Sequence, residues 1–349
     1  MRRSAVGGGG VATDHILAVD GGNSKTDVAL VAADGRLLAA VRGGTVSHQQ
    51  VGLDTGADRL LALVREARSI AGHDPDQRAR QAVYCLAGAD SPGDIARLTR
   101  AFAARPMADD GQVVNDAFAP VRAGSDRGWG VAVICGAGVN AAGVGPDGRT
   151  ARFAALGEAT GDWGGGGDVA MAGLGAAVRA RDGRGPRTML ERGVPEHFGR
   201  RRPVDVATAF ERNEITYGEL RSLAPVVFRA SAAGDAVARS IVDRLADELA
   251  LMAVVIARRL GLVRADPDVV LAGGLFHADD ARFEARIASG IHAVVPAARV
   301  ARLRALPVTG AALLALDRLA REAADARSVI APAPVEARVR GELGAWRPA

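Results

Sequence analysis

The sequence predicts an α/β protein of two lobes that are built on one plan. A strand, a turn of small residues, a second strand and an Asp-Gly hairpin occur in "LAVDGGNSKTDVALVAADGR" and again in "VAVICGAGVNAAGVGPDGR". The interval from Gly21 to Gly136 nearly equals the interval from Gly35 to Gly148. Strand–helix units follow each opening, and this alternation is typical of α/β folds.

The elements after the first opening follow from local patterns. "TGADRLLALVREARSIAG" has the spacing of an amphipathic helix, and "AVYCLAG" has the apolar content of a buried strand. Ser91 is the expected N-cap of the next helix. "GQVVNDAFAPVRAG" then predicts a short strand that leads into a helix.

The second half is mainly helical before its last strands. "PDVVLAGGLFHADD" predicts a strand, a Gly-Gly turn and a helix start, and "ARVARLRALPVTGAALLALDRLAREA" predicts a strand, a Pro-Val-Thr-Gly turn and a closing helix. Helices are expected over 168–181, 204–212, 217–233 and 235–260.

The composition is that of a globular protein with a large core. The chain has 349 residues, of which 48% are hydrophobic and 4% aromatic, so the core consists mainly of aliphatic side chains. The formal net charge is +4, but the arginines are interspersed with acids. The one dense basic run, 199–203, lacks the interleaved aromatic residues of a single-strand-binding surface. The sequence therefore predicts no nucleic-acid partner.

The apolar runs indicate a cytoplasmic protein that does not contact a membrane. Cys85 and Cys135 each lie inside an apolar run, as expected for buried thiols in a reducing compartment. The longest apolar run, 249–257, is too short for a bilayer, and no signal-peptide pattern is present. The predicted organisation is a flexible lead (1–14), an N-terminal lobe (15–122), a C-terminal lobe (123–324) and a low-pattern tail (325–349).

The first turn carries more small and polar residues than a hairpin needs. Asp20 to Thr26 interrupt an apolar run, although two residues suffice for a tight turn. Glycines let backbone N–H groups approach an anion closely, and Lys25 is the only lysine of the chain. A plain hairpin with a solvated lysine is the alternative, but the matching turn at 136–140 favours phosphate binding.

Three motifs together resemble one superfamily. "DGGNSKTDVALV" is similar to the first phosphate motif of the actin, hexokinase and chaperone ATPase superfamily, "CGAGVNAAG" to its second phosphate motif and "VVLAGGLF" to its adenosine motif. Within it, the chain resembles the BadF/BadG/BcrA/BcrD ATPase family, which includes N-acetylglucosamine kinases, over about 15–320. The resemblance implies two actin-like ATPase (ribonuclease H-like) lobes with a nucleotide cleft between them. It also implies ATP and Mg²⁺ as cofactors, a sugar as small-molecule partner, and a homodimer.

The resemblance also implies which residues meet the nucleotide. Asp20 would hold Mg²⁺ through coordinated water, because a carboxylate repels phosphate directly. Gly273 and Gly274 would lie against adenine and ribose, although they also fit an ordinary strand-to-helix turn, and Gly310 also fits a simple helix start. The implied nucleotide-binding residues are Gly21, Gly22, Asn23, Ser24, Lys25, Thr26, Gly136, Ala137, Gly138, Gly273, Gly274 and Gly310.

Asp116 in "VVNDAFAP" matches the family's general base. It stands where a strand ends and a helix begins. Phosphoryl transfer needs positioning and charge neutralisation, so one carboxylate aimed at the attacking hydroxyl suffices. The alternative is that Asp116 is only the N-cap of the following helix.

The sugar-binding residues depart from the family pattern. Ser47-His48 stands where an asparagine–histidine pair is expected, Ala137 replaces a threonine and Val139 replaces a serine. The segment 157–163 is one residue short, so Glu158 or Asp162 stands in for an aspartate. His48 also fits an ordinary loop histidine. The implied substrate-binding residues are Ser47, His48, Gly88, Asp116, Asn140, Glu158 and Asp162.

The predicted function is an ATP-dependent kinase of an amino sugar, with N-acetylglucosamine and its 6-hydroxyl as the expected acceptor. One alternative is an ATPase that activates a reductase or dehydratase through an iron–sulfur cluster, but Cys85 and Cys135 both lie in strand-like runs. The other is a sugar-sensing regulator without turnover, which the changes at Ala137 and Val139 leave open. Beyond the Mg²⁺ expectation, no spacing of His, Cys, Asp or Glu indicates a metal site.

Overall fold

The computed structural model describes residues 15–324 and 330–347. The predictions for the lead at 1–14 and for part of the tail lie outside the described residues. By their contacts, the residues form two compact units. The first unit combines the chain up to Ala119 with the chain from Ala305 onward, and the second unit is Pro120–Arg304.

The first unit contains one five-stranded mixed sheet. Its strands are β1 (His15–Gly21), β2 (Lys25–Ala32), β3 (Leu37–Gly44), β4 (Ala79–Leu86) and β5 (Ala108–Asn115). Their order is β3-β2-β1-β4-β5, with β1–β2 and β2–β3 antiparallel and β1–β4 and β4–β5 parallel. Two antiparallel hairpins are thus followed by parallel crossover strands.

The sheet of the second unit repeats this topology. Its strands are β6 (Gly130–Cys135), β7 (Val139–Val144), β8 (Thr150–Arg152), β9 (Asp268–Ala272) and β10 (Arg299–Arg302). Their order is β10-β9-β6-β7-β8, with β6–β7 and β7–β8 antiparallel and β6–β9 and β9–β10 parallel. The predicted duplication is confirmed at the level of strand order and direction.

Helices connect the strands in both units. In chain order they are α1 (His48–Val51), α2 (Leu53–Ile70), α3 (Pro92–Ala103), α4 (Phe118–Gly124), α5 (Gly165–Arg181), α6 (Leu190–His197), α7 (Pro203–Glu211), α8 (Tyr217–Leu220), α9 (Ala224–Ala232), α10 (Ala236–Arg259), α11 (Ala281–His292), α12 (Pro307–Ala324) and α13 (Ala333–Ala345). Short 3₁₀ helices span Gly157–Thr160, Arg221–Leu223 and Gly274–Ala278. None of the described helices is long and apolar enough to cross a bilayer.

The central strands are apolar on both faces because helices cover both. Leu17 and Val19 of β1 belong to a core that includes Leu60 of α2. Ile16 and Ala18, which point the other way, belong to a core that includes Leu313 of α12. A strand buried on two sides needs no polar alternation, which explains its continuous hydrophobic run.

The structure differs from the predicted organisation at the carboxyl end. The closing helix α12 lies within the predicted lobe 123–324, yet its apolar face packs on β1 in the first unit. Within the predicted low-pattern tail, α13 buries Val339 and Leu343 against the same core. Helix α13 was not predicted because it has few apolar positions and therefore a weak helical periodicity. Helix α12 was assigned to the wrong lobe because the order of elements along the chain does not reveal which sheet a helix covers.

Among the local predictions, the Ser91 cap is confirmed, the Pro-Val-Thr-Gly turn is wrong, and one helix lies where none is predicted. Ser91 caps α3 through a capping box, since Asp94 N donates to Ser91 Oγ at 3.1 Å and Ser91 N donates to Asp94 Oδ2 at 3.1 Å. Pro307 begins α12, so Pro-Val-Thr-Gly is a helical first turn, a position that suits proline. Helix α6 was not expected, because it contains Pro195 and is only eight residues long.

Candidate active site

The first hairpin is tighter than the sequence predicts. The β1–β2 ladder pairs Asp20 with Asp27 and Gly21 with Thr26. Gly22 N donates to Lys25 O at 2.9 Å, so only Asn23 and Ser24 form the exposed tip. The predicted seven-residue turn is therefore wrong in extent, because most of its polar residues lie within the paired strands.

A charged row crosses the first sheet at this hairpin. The strand register aligns Asp20 of β1 with Asp27 of β2, and Asp27 with Arg42 of β3. Arg42 Nε donates to Asp27 Oδ1 at 2.5 Å, and Arg42 Nη2 donates to Asp27 Oδ2 at 2.7 Å. Lys25 Nζ lies 3.3 Å from Asp27 Oδ2. The fully buried Asp27 is thus neutralised by two cations, and it orients the only lysine of the chain.

The surroundings of Asp20 favour its neutral form in the absence of another cation. Burial raises the pKa of its carboxyl group from 3.8 to about 7, and the negative charges of Asp116 and Asp27 add to the increase. Lys25 and Arg42 oppose the change but do not cancel it. The charge of Asp116 is the larger of the two electrostatic contributions that raise the pKa of Asp20.

This arrangement fits a magnesium ion held partly by other ligands. A divalent cation would stabilise the ionised Asp20 carboxylate, which burial and, to a smaller extent, the charges of Asp116 and Asp27 disfavour. In 15–324 and 330–347, no group of three or more His, Cys, Asp or Glu side chains is arranged to hold a metal alone. Mg²⁺ typically uses one or two carboxylates and fills its shell with water and phosphate oxygens.

The backbone around Asp116 is fixed by its neighbours. Asp116 N donates to Leu86 O at 3.2 Å, which ties it to the end of β4. The buried Asn115 donates from Nδ2 to Asp90 Oδ1 at 2.9 Å and accepts from Ala117 N at 3.2 Å. Asp116 therefore follows a rigid strand end, within electrostatic reach of Asp20.

Gly88 and His48, both predicted to bind the sugar, come together in the first unit. Gly88 has a φ of +84°, and a Cβ there would stand 2.9 Å from Cε1 of His48 and 3.0 Å from Cδ of Gln49. Glycine is thus required both by conformation and by the close approach of the 48–49 segment.

The same cluster holds polar atoms without protein partners. Ser47 is only 4% exposed, and within the described residues neither its Oγ nor Nδ1 of His48 has a hydrogen-bond partner. Nε2 of His48 lies 3.7 Å from Asp94 Oδ1, and Gln49 Nε2 donates to Asp90 Oδ2 at 3.3 Å. Buried polar atoms of this kind normally bind something, so they are available to a polar ligand.

The glycine turn of the second unit is bonded to the start of α5. Gly136 N donates to Gly138 O at 2.9 Å, and Gly166 N and Gly167 N donate to the carbonyls of Gly136 and Ala137 at 2.8 and 3.1 Å. A Cβ added at Gly136 or Gly138 would meet no described atom within 4 Å, so this side of the turn is open.

The four-glycine run at 164–167 makes that contact possible. Gly165 has a φ of +78°, and a Cβ there would stand 2.4 Å from Cα of Gly138. These glycines are not among the predicted site residues, although a run of four glycines stands out in the sequence. Their lack of side chains lets the amino end of α5 lie directly against the turn.

The predicted adenosine motif lies at the carboxyl end of β6, where the 136–138 turn begins. Gly273 has a φ of +110°, and a Cβ there would stand 2.3 Å from O of Cys135, the last residue of β6. Gly274 faces open space. The structure therefore brings together the second-unit residues 136–138 and 273–274, which the sequence predicts as nucleotide contacts.

The remaining predicted residues have mixed placements. Asn140 lies on β7, and its buried Oδ1 has no partner among the described residues. Asp162 accepts from Oγ1 of Thr160 within its own turn, whereas Glu158 is exposed. A Cβ at Gly310 would stand 1.9 Å from O of Ala119, which gives this glycine a packing role in the first unit. Its nucleotide role stays a prediction.

The two repeated α/β units, each with a five-stranded mixed sheet of the same topology, have the fold of the actin-like ATPase class of proteins. The chain belongs to the BadF/BadG/BcrA/BcrD ATPase family, whose model matches residues 17–315. The predicted family is confirmed, and use of ATP agrees with it.

Two curated relatives are similar over most of their length. The chain is 27% identical over 265 residues to the N-acetylmuramic acid/N-acetylglucosamine kinase of Clostridium acetobutylicum, covering 75% of this chain and 86% of that protein. It is 23% identical over 312 residues to the N-acetyl-D-glucosamine kinase of Dictyostelium discoideum, covering 86% of this chain and 97% of that protein.

Solved structures confirm the fold class. A Chromobacterium violaceum protein provisionally named N-acetylglucosamine kinase has a TM-score of 0.67 and 23% identity, covering 86% of this chain and 98% of that one. A ROK family glucokinase of Streptomyces griseus, solved with glucose and AMPPNP, has a TM-score of 0.53 and 15% identity, covering 88% and 99%. At these identities the likeness shows the fold.

Proposed function

We propose that this chain is an ATP-dependent kinase that phosphorylates an amino sugar, with the 6-hydroxyl of N-acetylglucosamine as the expected acceptor. The observation that carries the proposal is the similarity, over most of the chain, to two kinases named for N-acetylglucosamine. One of them is also named for N-acetylmuramic acid, so an acceptor with a lactyl group belongs to the same substrate class.

Asp116 acts as the general base in this proposal. Its carboxylate takes the proton of the attacking sugar hydroxyl as the oxygen bonds to the γ-phosphorus, and the bond to the ADP leaving oxygen breaks. The fixed backbone at the end of β5 supports this role, because a base must be held at hydrogen-bonding distance from the proton it removes.

Asp20 holds Mg²⁺ through coordinated water in this proposal. When bound, the ion neutralises charge on the phosphate oxygens. The raised pKa of Asp20 supports the assignment, because the site gains stability from an added positive charge. Lys25, held by Asp27, supplies a further cation at the hairpin of residues 21–26.

The second unit binds the phosphates and the adenosine. The open side of the 136–138 turn leaves room for a phosphate group, and the amino end of α5 places its positive dipole behind that turn. Gly273 and Gly274 adjoin it at the end of β6. These contacts support a nucleotide at this end of the second sheet.

Ser47, His48 and Gly88 bind the sugar in the first unit. The unpartnered Oγ of Ser47 and Nδ1 of His48 match the hydroxyl groups of a sugar, which both donate and accept hydrogen bonds. We further propose, from the family resemblance, that Asn140 and one of Glu158 and Asp162 bind sugar hydroxyl groups. A cytoplasmic homodimer remains our expectation from the family resemblance.

The buried thiols argue against an iron–sulfur activator. Cys85 and Cys135 are both fully buried. A cluster ligand needs a sulfur that reaches the cluster. Neither sulfur lies at the surface of its own unit.

ADP release with a sugar panel tests the proposal. N-acetylglucosamine, N-acetylmuramic acid, glucosamine and glucose are compared at equal concentrations with Mg-ATP. We expect the N-acetylated sugars to stimulate ADP release far above the other two. Tight sugar binding without ADP release would instead indicate a sugar-sensing regulator, and stimulation by glucose alone would contradict the substrate class.

A further inference from the structure

An exposed aromatic side chain lies beside the glycine turn of the second unit. Tyr217, the first residue of α8, is 52% exposed. A Cβ added at Gly167 would stand 1.8 Å from Oη of Tyr217, so the phenol rests directly on the first turn of α5. Because Gly167 N also bonds to Ala137 O, the ring is anchored one residue from the 136–138 turn.

Arg221 lies one helical turn after Tyr217. A Cβ at Gly166 would stand 3.8 Å from Cβ of Arg221 and 3.7 Å from Cδ1 of Leu275, the residue after Gly274. Nε of Arg221 is buried and has no hydrogen-bond partner in the part of the chain that the structure describes. Arg221 thus lies beside Gly166, as does Leu275 of the predicted adenosine motif.

The two side chains are close enough to act together. The pKa of Tyr217 is raised by burial and by Asp168 and is lowered by Arg221, which places the guanidinium within electrostatic reach of the phenol. A capping box between Thr216 and Glu219 fixes the start of α8 and hence the position of the ring.

We propose that Tyr217 and Arg221 bind the base of ATP, with the tyrosine ring as a stacking surface and the guanidinium as a planar cation against the purine. Aromatic rings stack on bases through their faces, and a guanidinium stacks on a π-system in the same way. The inference rests on the nucleotide-binding part of the proposed function, and it assigns two residues that no phosphate or adenosine motif contains.

The chemistry separates this role from simple packing. A stacking surface contributes to binding of a nucleotide but not to binding of a triphosphate that lacks a base. A tyrosine that only anchors α5 would affect both ligands equally, because its loss would displace the glycine turn that both would occupy.

The test measures binding of Mg-ATP and of magnesium tripolyphosphate to the full chain by calorimetry. We expect Tyr217→Ala to weaken ATP binding about tenfold while tripolyphosphate binding stays within about twofold. Tyr217→Phe keeps the ring and should bind ATP like the wild type. Arg221→Gln should weaken ATP binding several-fold, whereas the exposed Arg229→Gln serves as the charge-matched control without effect.

The result that overturns the inference is equal loss of both ligands, or no loss of ATP affinity, in Tyr217→Ala and Arg221→Gln. A wild-type chain that binds no ATP also overturns it. If the wild type binds ATP and the variants behave as expected but no sugar is phosphorylated, the kinase proposal fails while the base-binding pair stands. If the wild type phosphorylates a sugar and the variants keep their ATP affinity, only the base-binding pair fails.

Discussion

At the scale of single residues, the carboxyl group of Asp20 links the sequence to the chemistry. It is predictable as a metal-binding candidate through the family resemblance, which rests on the motif in which this aspartate precedes two glycines. Its partners are less predictable. Asp27 and Arg42 are aligned with it by the strand register, and a one-residue slip would place them on the other face of the sheet.

Replacing Asp20 with asparagine should change how stability depends on pH. The pKa of Asp20 is about 7 in the folded chain and 3.8 ordinarily, so the folded state binds an extra proton between about pH 4 and pH 7. Wild-type stability therefore falls as pH rises through this window, by up to about 1.4 kcal/mol per pH unit. Asp20→Asn removes this loss. The unfolding free energy of Asp20→Asn minus that of the wild type should therefore increase by a few kcal/mol between pH 4.5 and pH 8. This increase corresponds to the difference between the folded and the ordinary pKa of Asp20.

Urea unfolding of both chains without metal or nucleotide measures this difference. Asp34→Asn is the control, because the pKa of Asp34 lies below its usual value and the group stays ionised over this range. Parallel pH profiles for the wild type and Asp20→Asn would contradict the assignment of a protonated Asp20.

At the scale of elements, hairpins and helix starts were predictable as types but not in extent. The Asp-Gly turns at 34–35 and 147–148 occur as expected, each with its glycine at positive φ. The first hairpin is tighter than expected, because polar residues can continue a ladder when their partners neutralise them across it. The role of the 164–167 glycines depends on contact with a turn far away in sequence, which no local pattern contains.

The contact between Gly165 and the 136–138 turn gives a direct test. Gly165→Ala should destabilise the chain by about 2 kcal/mol and weaken ATP binding, because its Cβ would stand 2.4 Å from Cα of Gly138 at a φ of +78°. Gly175→Ala, in the same helix, meets no described atom within 4 Å. It should be neutral or stabilising by about 0.5–1 kcal/mol. Thermal unfolding and ATP titration check both variants, and equal behaviour of the two would show that the turn does not depend on Gly165.

At the scale of the whole molecule, the duplication was the most predictable feature. Two openings with the same order of strand, turn and hairpin predict two sheets of equal topology, and the strand orders agree. The docking of α12 and α13 on the first sheet was not predictable, because it depends on which apolar faces match after folding. The sugar-binding set is predictable only through the family resemblance, and its departures at Ser47 and Ala137 leave the acceptor to experiment.

The most direct test of the account compares Asp116→Asn with the wild type in ³¹P NMR detection of the sugar phosphate formed from ATP and N-acetylglucosamine. The variant keeps the shape of the side chain but cannot accept a proton. We expect its kcat to fall by about 10²–10⁴-fold with ATP and sugar binding nearly unchanged. The exposed Asp109→Asn on β5 should behave like the wild type. Full turnover by Asp116→Asn, or no phosphorylated sugar from the wild type, would contradict the account.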